Sequence, residues 1–393
     1  MDSFWHHKSP GDFEVLQGVL DVDVLVVGAG YTGCWLAYWL RDSGLRVALI
    51  DSQQPGFGAS GRNGGLLLQG PAQLLSEAGR LLGRQNALEI FQWTRRTFDW
   101  VQRLTERYDF DYHVTGSLYV GGDKTERAEI SETVALMNDA GVPARLLEKP
   151  DQPPSIQRMG YDLAAWFPDD GMIHPLKLMG ALLAEAQAGG IHVYRGSPAS
   201  SLEERAQGVR VSGPGFAVNA ERVVIATNAY TGEWLAPLNH LIRPVRGQVL
   251  ATEPLPRIDH AYPVYADHGF NYWHQRPDGR LIVGGFRHLA LEEEVGTELV
   301  LNSRIQARLD RLTADLAGRH AAVTDRWAGI MAMTLDQRPL WGHWRGPIWT
   351  AIGYNGHGGT VAPAAARMIR DNIIDGTPVF APYDAARIGE TGE

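Results

Sequence analysis

Between residues 23 and 51 the chain reads as strand, glycine turn, helix, strand and acid, a succession that few folds accommodate. Asp23 to Val27 is a short β-rich apolar run, followed by Gly28-Ala29-Gly30-Tyr31-Thr32-Gly33 and a helical stretch from Cys34 to Ser43. A second strand, Arg46 to Ile50, ends at Asp51, 23 residues after Gly28. In a βαβ unit of this kind the first glycine permits the tight turn and the second lets the backbone approach a pyrophosphate. The third allows the helix to pack closely on the strand. The free N–H groups at the helix start face phosphate, and the terminal acid can accept from ribose hydroxyls. A dinucleotide is therefore expected, with Gly28, Gly30, Tyr31, Thr32, Gly33, Asp51 and Ser52 along its ADP half. Cys34, on the helix face pressed against the sheet, is expected as a small buried residue.

This fingerprint does not separate NAD from FAD, and the following segments favour FAD. Directly after Asp51 comes Gly56-Phe57-Gly58-Ala59-Ser60-Gly61-Arg62-Asn63-Gly64-Gly65, then Leu66. Glycines expose amide donors and allow unusual backbone angles, so such a loop can follow a long ligand from pyrophosphate to ring; the plainer alternative is a flexible surface loop. Gly208 to Val211, Phe216 to Val218 and Arg222 to Ile225 read as short strands, the last ending in Ala226-Thr227-Asn228-Ala229 and rejoining the nucleotide domain. Trp349 to Ile352 is a strand leading into Gly353-Tyr354-Asn355-Gly356-His357-Gly358-Gly359-Thr360 and a helix from Val361 to Asn372. That helix start, aimed at the pyrimidine edge of a flavin, would stabilise the reduced anionic form.

At 393 residues the chain is long enough for two interleaved domains meeting at a cleft. A formal net charge of -9 and the lack of a Lys/Arg run argue against a nucleic-acid partner. One cysteine excludes an internal disulfide; with no secretion-like leader and no roughly 18-residue apolar span, a cytoplasmic protein without an integral membrane segment is expected. No metal site is expected. There is no second GxGxxG-type unit for NAD(P)H, so electrons should come from an organic substrate.

Several ordered motifs resemble the D-amino-acid-oxidase-like superfamily of FAD enzymes. They are DVDVLVVGAGYTG, GASGRNGG, GMIHPLKL before a helix, VVIATNAYT, RPVRGQ, RPDGRLIVGG and RWAGIMAMTLDQRPLWG followed by GYNGHGG. GASGRNGG and the aromatic leader Ser3-Phe4-Trp5 are most similar to the gamma-glutamylputrescine oxidase branch, beside the glycine and sarcosine oxidases. The resemblance implies cofactor contacts at Ala199 by its backbone, at Ser60 to Gly65, and along Gly356 to Thr360. It also marks departures. Gly329, seven residues before Asp336, stands where the sarcosine-oxidase branch has a flavin-linking cysteine, so the FAD should be non-covalent. Thr360, Leu68 and Met331 stand where family members hold a substrate carboxylate with lysine or arginine, which disfavours simple α-amino acids. Ile282 replaces a lysine associated with oxygen activation.

The expected fold is α/β (α+β): a Rossmann-like FAD-binding domain (20–75, 150–235 and 325–385) interleaved with an antiparallel-sheet substrate domain (76–149 and 236–324). Asp111 to Val120, Pro244 to Thr252, Gly269 to Gln275 and Arg280 to Phe286 read as strands of that sheet, and Glu298 to Leu316 as an amphipathic helix. In Phe270-Asn271-Tyr272-Trp273-His274-Gln275 the faces alternate, so Tyr272 and His274 share the cleft side, or Trp273 takes it alone. His357, Tyr272 and His274 are the catalytic candidates, His357 with a structural role as its alternative. His174, before Pro175, reads as a capping or packing residue; Arg246, Arg287 and His288 could face the cleft, but read first as solvated or ion-paired surface positions. The expected function is FAD-dependent oxidation of a C–N bond of a small primary or secondary amine, with dioxygen as acceptor. The alternatives are a dehydrogenase feeding a quinone or protein carrier, a flavin-binding non-catalytic or biosynthetic partner, and an NAD-dependent dehydrogenase without flavin.

Overall fold

The computed structural model describes residues 1–389. Its centre is a nine-stranded sheet in which Gly18–Val27 lies between Val47–Ile50 and Phe216–Ile225, all parallel. His192–Arg195 and Glu14–Val15 extend the sheet beyond Val47–Ile50. The other edge of Phe216–Ile225 is shared. Its first half pairs with the antiparallel strand Val209–Gly213, and its last residues, Val223 to Ile225, pair in parallel with Ile348–Ile352. The chain thus winds outward on both sides of Gly18–Val27, and the strand ends there open a crevice.

The buried runs explain this arrangement. Val24 and Val26 pack into a cluster with Cys34, Leu36 and Val361, whereas Leu25 and Val27 pack with Ile225, Leu238 and Ile352. Successive residues feed opposite faces, so a strand covered on both sides must be apolar throughout. The helices Tyr31–Leu40, Pro175–Ala188 and Gly358–Asp375 cover the first face. Where three short strands were expected between Gly208 and Ile225, two form, because Phe216–Ile225 runs unbroken.

A second sheet of eight strands runs in the order Val323–Thr334, Ile242–Thr252, Leu281–Gly284, Asn271–Gln275, Val264–Ala266, Ser117–Gly121, Leu163–Phe167 and Arg145–Glu148. It is antiparallel except where Val264–Ala266 meets Ser117–Gly121 in parallel. Two of its strands, Leu163–Phe167 and Val323–Thr334, come from stretches that the sequence reading gave to the nucleotide part. The strand expected over Asp111–Val120 is broken at Gly116 (φ +71°) into His113–Val114 and Ser117–Gly121. The amphipathic helix begins later than expected, at Ser303, because Asn302 caps it by accepting from the Arg304 and Ile305 amides. Among the described residues no helix is long and apolar enough to cross a membrane.

Candidate cofactor and substrate cavity

A cavity of about 930 Å³ runs from the strand ends of the first sheet to the face of the second. At the nucleotide end the Gly28 backbone adopts φ +107°, and a side chain there would lie 2.6 Å from the Ala226 carbonyl oxygen. Gly33 lies behind the wall, where a Cβ would overlap the Gly28 carbonyl oxygen and press on Leu49, so it serves packing, as its place in the motif requires. Ser60, from the following loop, accepts from the Tyr31 amide at the helix start (2.8 Å). Asp51 accepts from the Ala29 amide (2.7 Å) and the Gln53 amide (2.8 Å) and lines the cavity with Ser52. Burial pushes its carboxyl up to about 6, against the pull of those two amides. Ala199 lies on the same wall, as do Ala226, Thr227 and Asn228.

Further along, Ala59, Ser60, Arg62, Asn63, Gly64 and Leu66 form one side. Arg62 is buried; it donates to the Phe57 carbonyl (2.7 Å) and the Met1 carbonyl (2.8 Å), and its Nη2 has no partner. Gly329 faces the Arg62 backbone across the cavity wall and offers no nucleophile. Asn228 (φ +46°) accepts from the Gly353 amide (2.9 Å), and Asn355 (φ +52°) accepts from the Thr334 amide (2.8 Å). These two bonds hold the final turn, so that Asn355, Gly356, His357, Gly358, Gly359 and Thr360 all line the cavity. Gly61, Gly65 and Gly353 do not reach it; each lies where a side chain would strike neighbouring backbone or side chain.

The remaining wall comes from the second sheet. Tyr272 stacks on Tyr265 (centroids 6.0 Å, 24°), and Tyr265 meets the His357 ring edge-on at 5.9 Å. Burial raises both phenols, Tyr265 to about 12, and lowers His357 to about 4, so all three are neutral near pH 7. His274 must be corrected. It shares the Tyr272 face of its strand, as one of the two expected alternations has it, yet lies below the wall, where its Nε2–H donates to the Gly64 carbonyl at 2.8 Å. Burial lowers it to about 4 as well. It supports the glycine loop and does not touch the cavity.

Arg287 is a second correction. Arg243 pairs with Glu292 (2.7 Å) and buried Arg246 with Glu294 (3.4 Å), but the Arg287 guanidinium has no hydrogen-bond or ion-pair partner among the described residues. It lies over the Phe270 ring at 5.1 Å and lines the cavity. The sequence favoured a surface position over the cleft for it, because whether a residue just past a strand turns in or out depends on the sheet it joins. Other cavity residues went unrecognised: Tyr119, Tyr265, Glu77, Gln73, Met333, Gln337 and Tyr230. Tyr230, Met333 and Gln337 lie within VVIATNAYT and RWAGIMAMTLDQRPLWG, where nothing local singles them out, and no motif covers Tyr119, Tyr265, Glu77 and Gln73. His174 caps its helix as expected, its Nδ1 accepting from the Lys177 amide (3.3 Å), and Cys34 is buried with its thiol toward the Ala29 carbonyl (3.6 Å). No group of residues that could hold a metal ion occurs among the described residues.

The cavity fits FAD on its own terms. It is elongated, admits close backbone approach at Gly28 and Gly30, and has two buried polar groups without protein partners on its wall, Arg62 Nη2 and the Tyr230 hydroxyl. Buried polar groups left unpaired are costly, and a ligand rich in phosphate, hydroxyl and carbonyl groups satisfies them. A family model for FAD-dependent oxidoreductases (DAO) matches residues 23–372. The chain belongs to this family. It is thus an FAD-dependent oxidoreductase, which removes the flavin-free alternative. The probable oxidoreductase OrdL of Rhizobium meliloti is 28% identical over 370 residues, spanning 91% of this chain and 84% of that protein. Gamma-glutamylputrescine oxidoreductase of Escherichia coli is 27% identical, spanning 91% and 85%. The crystal structure of glycine oxidase from Geobacillus kaustophilus has the same fold, with a TM-score of 0.79 at 22% identity over 94% of this chain and 99% of that one. L-proline dehydrogenase from P. horikoshii matches as well, with a TM-score of 0.79, 22% identity, and 95% and 98% of the two chains covered.

Proposed function

We propose that this oxidoreductase oxidises a C–N bond of a small primary or secondary amine, with dioxygen as the final acceptor. The observation behind it is the continuity of one cavity from Asp51, past the glycine loop, to the neutral wall of Tyr272, Tyr265 and His357. Bound flavin supplies a two-electron acceptor for the hydride on the carbon beside nitrogen. The amine must arrive with its lone pair free, and transfer into an apolar, aromatic site itself disfavours the ammonium form. His357, held at about 4, is too weak a base to strip an ammonium ion; its fitting role is a hydrogen bond that orients the neutral amine. Tyr265 and Tyr272 supply aromatic surface that tolerates an amine's residual positive charge.

Substrate choice follows from the charges around this wall. Thr360 spends its hydroxyl on the Leu68 carbonyl (2.7 Å), and Leu68 and Met331 are apolar, so the three family positions for a carboxylate anchor offer no charge. On this side of the cavity Arg287, past a different strand end, is a cation without an ion-pair partner among the described residues. We read this as selection for an amine whose anionic group lies away from the reacting carbon, rather than for glycine. Gamma-glutamylputrescine, named in one relative, has that form.

Anaerobic mixing of the yellow protein with glycine, N-methyl amines, putrescine and carboxylate-bearing long amines, followed by flavin absorbance, tests this reading. Long or N-substituted amines should bleach the flavin faster than glycine, and the reverse order refutes it. The second reading, a dehydrogenase passing electrons to a quinone or protein carrier, is favoured by Ile282, which is buried in the core and leaves no cation there for oxygen. The fold is common to an oxidase and a dehydrogenase. Peroxide released in step with amine turnover in air supports the oxidase; its absence, with rapid reduction of a quinone dye, supports the dehydrogenase.

A further inference from the structure

The glycine loop is held from behind by an unbroken series of hydrogen bonds. Five consecutive carbonyls each accept from a different donor: Gly61 from the Ser3 hydroxyl (2.5 Å), Arg62 from Trp327 Nε1 (2.8 Å), Asn63 from Trp5 Nε1 (2.7 Å), Gly64 from His274 Nε2 (2.8 Å) and Gly65 from the Ile173 amide (2.9 Å). The donors come from the N-terminal turn, two strands of the second sheet and the segment before the helix at Pro175. They are themselves fixed. Trp5 is fully buried, its ring edge-on to His174 at 5.1 Å and under the Arg276 guanidinium at 5.2 Å, and Arg276 is tied to Asp111 (3.1 Å).

A trans peptide unit is planar, with its N–H directed opposite to its carbonyl. Fixing the Arg62 and Asn63 carbonyls at the back therefore turns the N–H groups of Asn63 and Gly64 the other way. Those two amides have no acceptor among the described residues, whereas the Arg62 amide donates to Ala59 and the Gly65 amide to the Asn63 side chain (2.8 Å). Both residues line the cavity. Glycine peptides flip readily when free, since glycine pays no steric penalty in either orientation.

We propose that Trp5, Trp327 and Ser3, with His274, are positioning residues that lock the peptide direction of the Gly61–Gly65 loop, so that the Asn63 and Gly64 amides stand as fixed donors to the flavin. None of them touches the cavity, and the N-terminal leader thereby becomes part of the cofactor site without contacting the cofactor. Fixed donors aimed at a ring that gains negative charge on reduction favour the reduced form over the oxidised one. The clamp thus acts on flavin affinity and on flavin potential. It rests on FAD binding and not on the amine reading, so failure of every amine to bleach the flavin leaves it standing.

Trp5→Phe and Trp327→Phe each keep an aromatic ring and delete one donor. In each, titration of apoprotein with FAD should give a dissociation constant about tenfold higher, the cost of one buried carbonyl left unsatisfied. Dye-equilibrated midpoint potentials should fall, by about 30 mV for each tenfold preferential loss of reduced flavin in a two-electron couple. Trp35→Phe is the control, because its indole nitrogen is buried without a partner on the opening helix; it should change neither reading. An affinity within twofold of wild type and a potential within about 10 mV of it, in both Trp5→Phe and Trp327→Phe, overturn the proposal, as does an equal shift in Trp35→Phe. If circular dichroism shows that the first two variants do not fold, Ser3→Ala decides. It removes only a hydroxyl near the chain start; a roughly threefold rise in the FAD dissociation constant supports the clamp and an unchanged one overturns it.

Discussion

Acidification should loosen the flavin through one carboxylate. Asp51, which we assign to the adenosine ribose, is pushed by burial from 3.8 to about 6 in the ligand-free protein. A ribose hydroxyl donates, so it needs the ionised carboxylate as its acceptor. With a pKa of about 6, about nine-tenths of the protein is ionised at pH 7 and about one-tenth at pH 5, so the FAD dissociation constant should rise about tenfold over that interval. Folding stability runs the other way. Because the folded value is raised, Asp51 favours the apoprotein most below pH 3.8, and that contribution is lost as pH rises through about 6. Quenching of flavin fluorescence on titration into apoprotein, from pH 5 to 8, gives the affinity; thermal melts of apoprotein over the same range give the stability. Asp51→Asn should bind FAD more weakly at pH 7 and flatten the profile. A wild-type affinity independent of pH, or the same slope in Asp51→Asn, refutes the assignment.

His357→Gln should slow flavin reduction by about tenfold or more if the ring orients the amine, and the wild-type rate should show no step between pH 6 and 7.5 from a group held at about 4; rapid-mixing absorbance across pH checks both. Arg287→Gln should raise KM for a carboxylate-bearing amine by about 10- to 100-fold with kcat little changed, from loss of one charge-assisted hydrogen bond, while leaving uncharged amines unaffected; steady-state kinetics on matched substrates separates the two. Gly33→Ala forces a methyl onto the Gly28 carbonyl, a backbone atom that cannot step aside, and should cost about 3 kcal/mol or more; a thermal melt within a few degrees of wild type contradicts the packing role.

Much of the cavity wall that we assign to the cofactor was legible because its signals are local. Gly28, Gly30 and Asp51 announce themselves by spacing along one strand–helix–strand unit, and the turn from Gly353 to Thr360 by glycines before a helix. The substrate half was legible only in outline. The alternation that sets Tyr272 and His274 on one face was visible, but not that the cavity ends between them; that boundary is drawn by the Gly64 carbonyl, which belongs to a loop 210 residues earlier. Arg287 looked like one more surface arginine because the acidic run Glu292 to Glu294, which neutralises Arg243 and Arg246, lies close enough in sequence to serve it too.

Alone, the sequence determined that a dinucleotide fold forms, which residues turn tightly within it, and that a glycine-rich loop follows the ribose acid. Backbone freedom and period-two burial are properties of neighbouring residues, so they can be read in one dimension. Only the tertiary structure decided which way the loop's peptides point, that the Ser3-Phe4-Trp5 leader backs them, and that Arg287 turns inward. Each of these depends on contacts between segments far apart in the chain, whose partners exist only once two sheets have closed around one cavity.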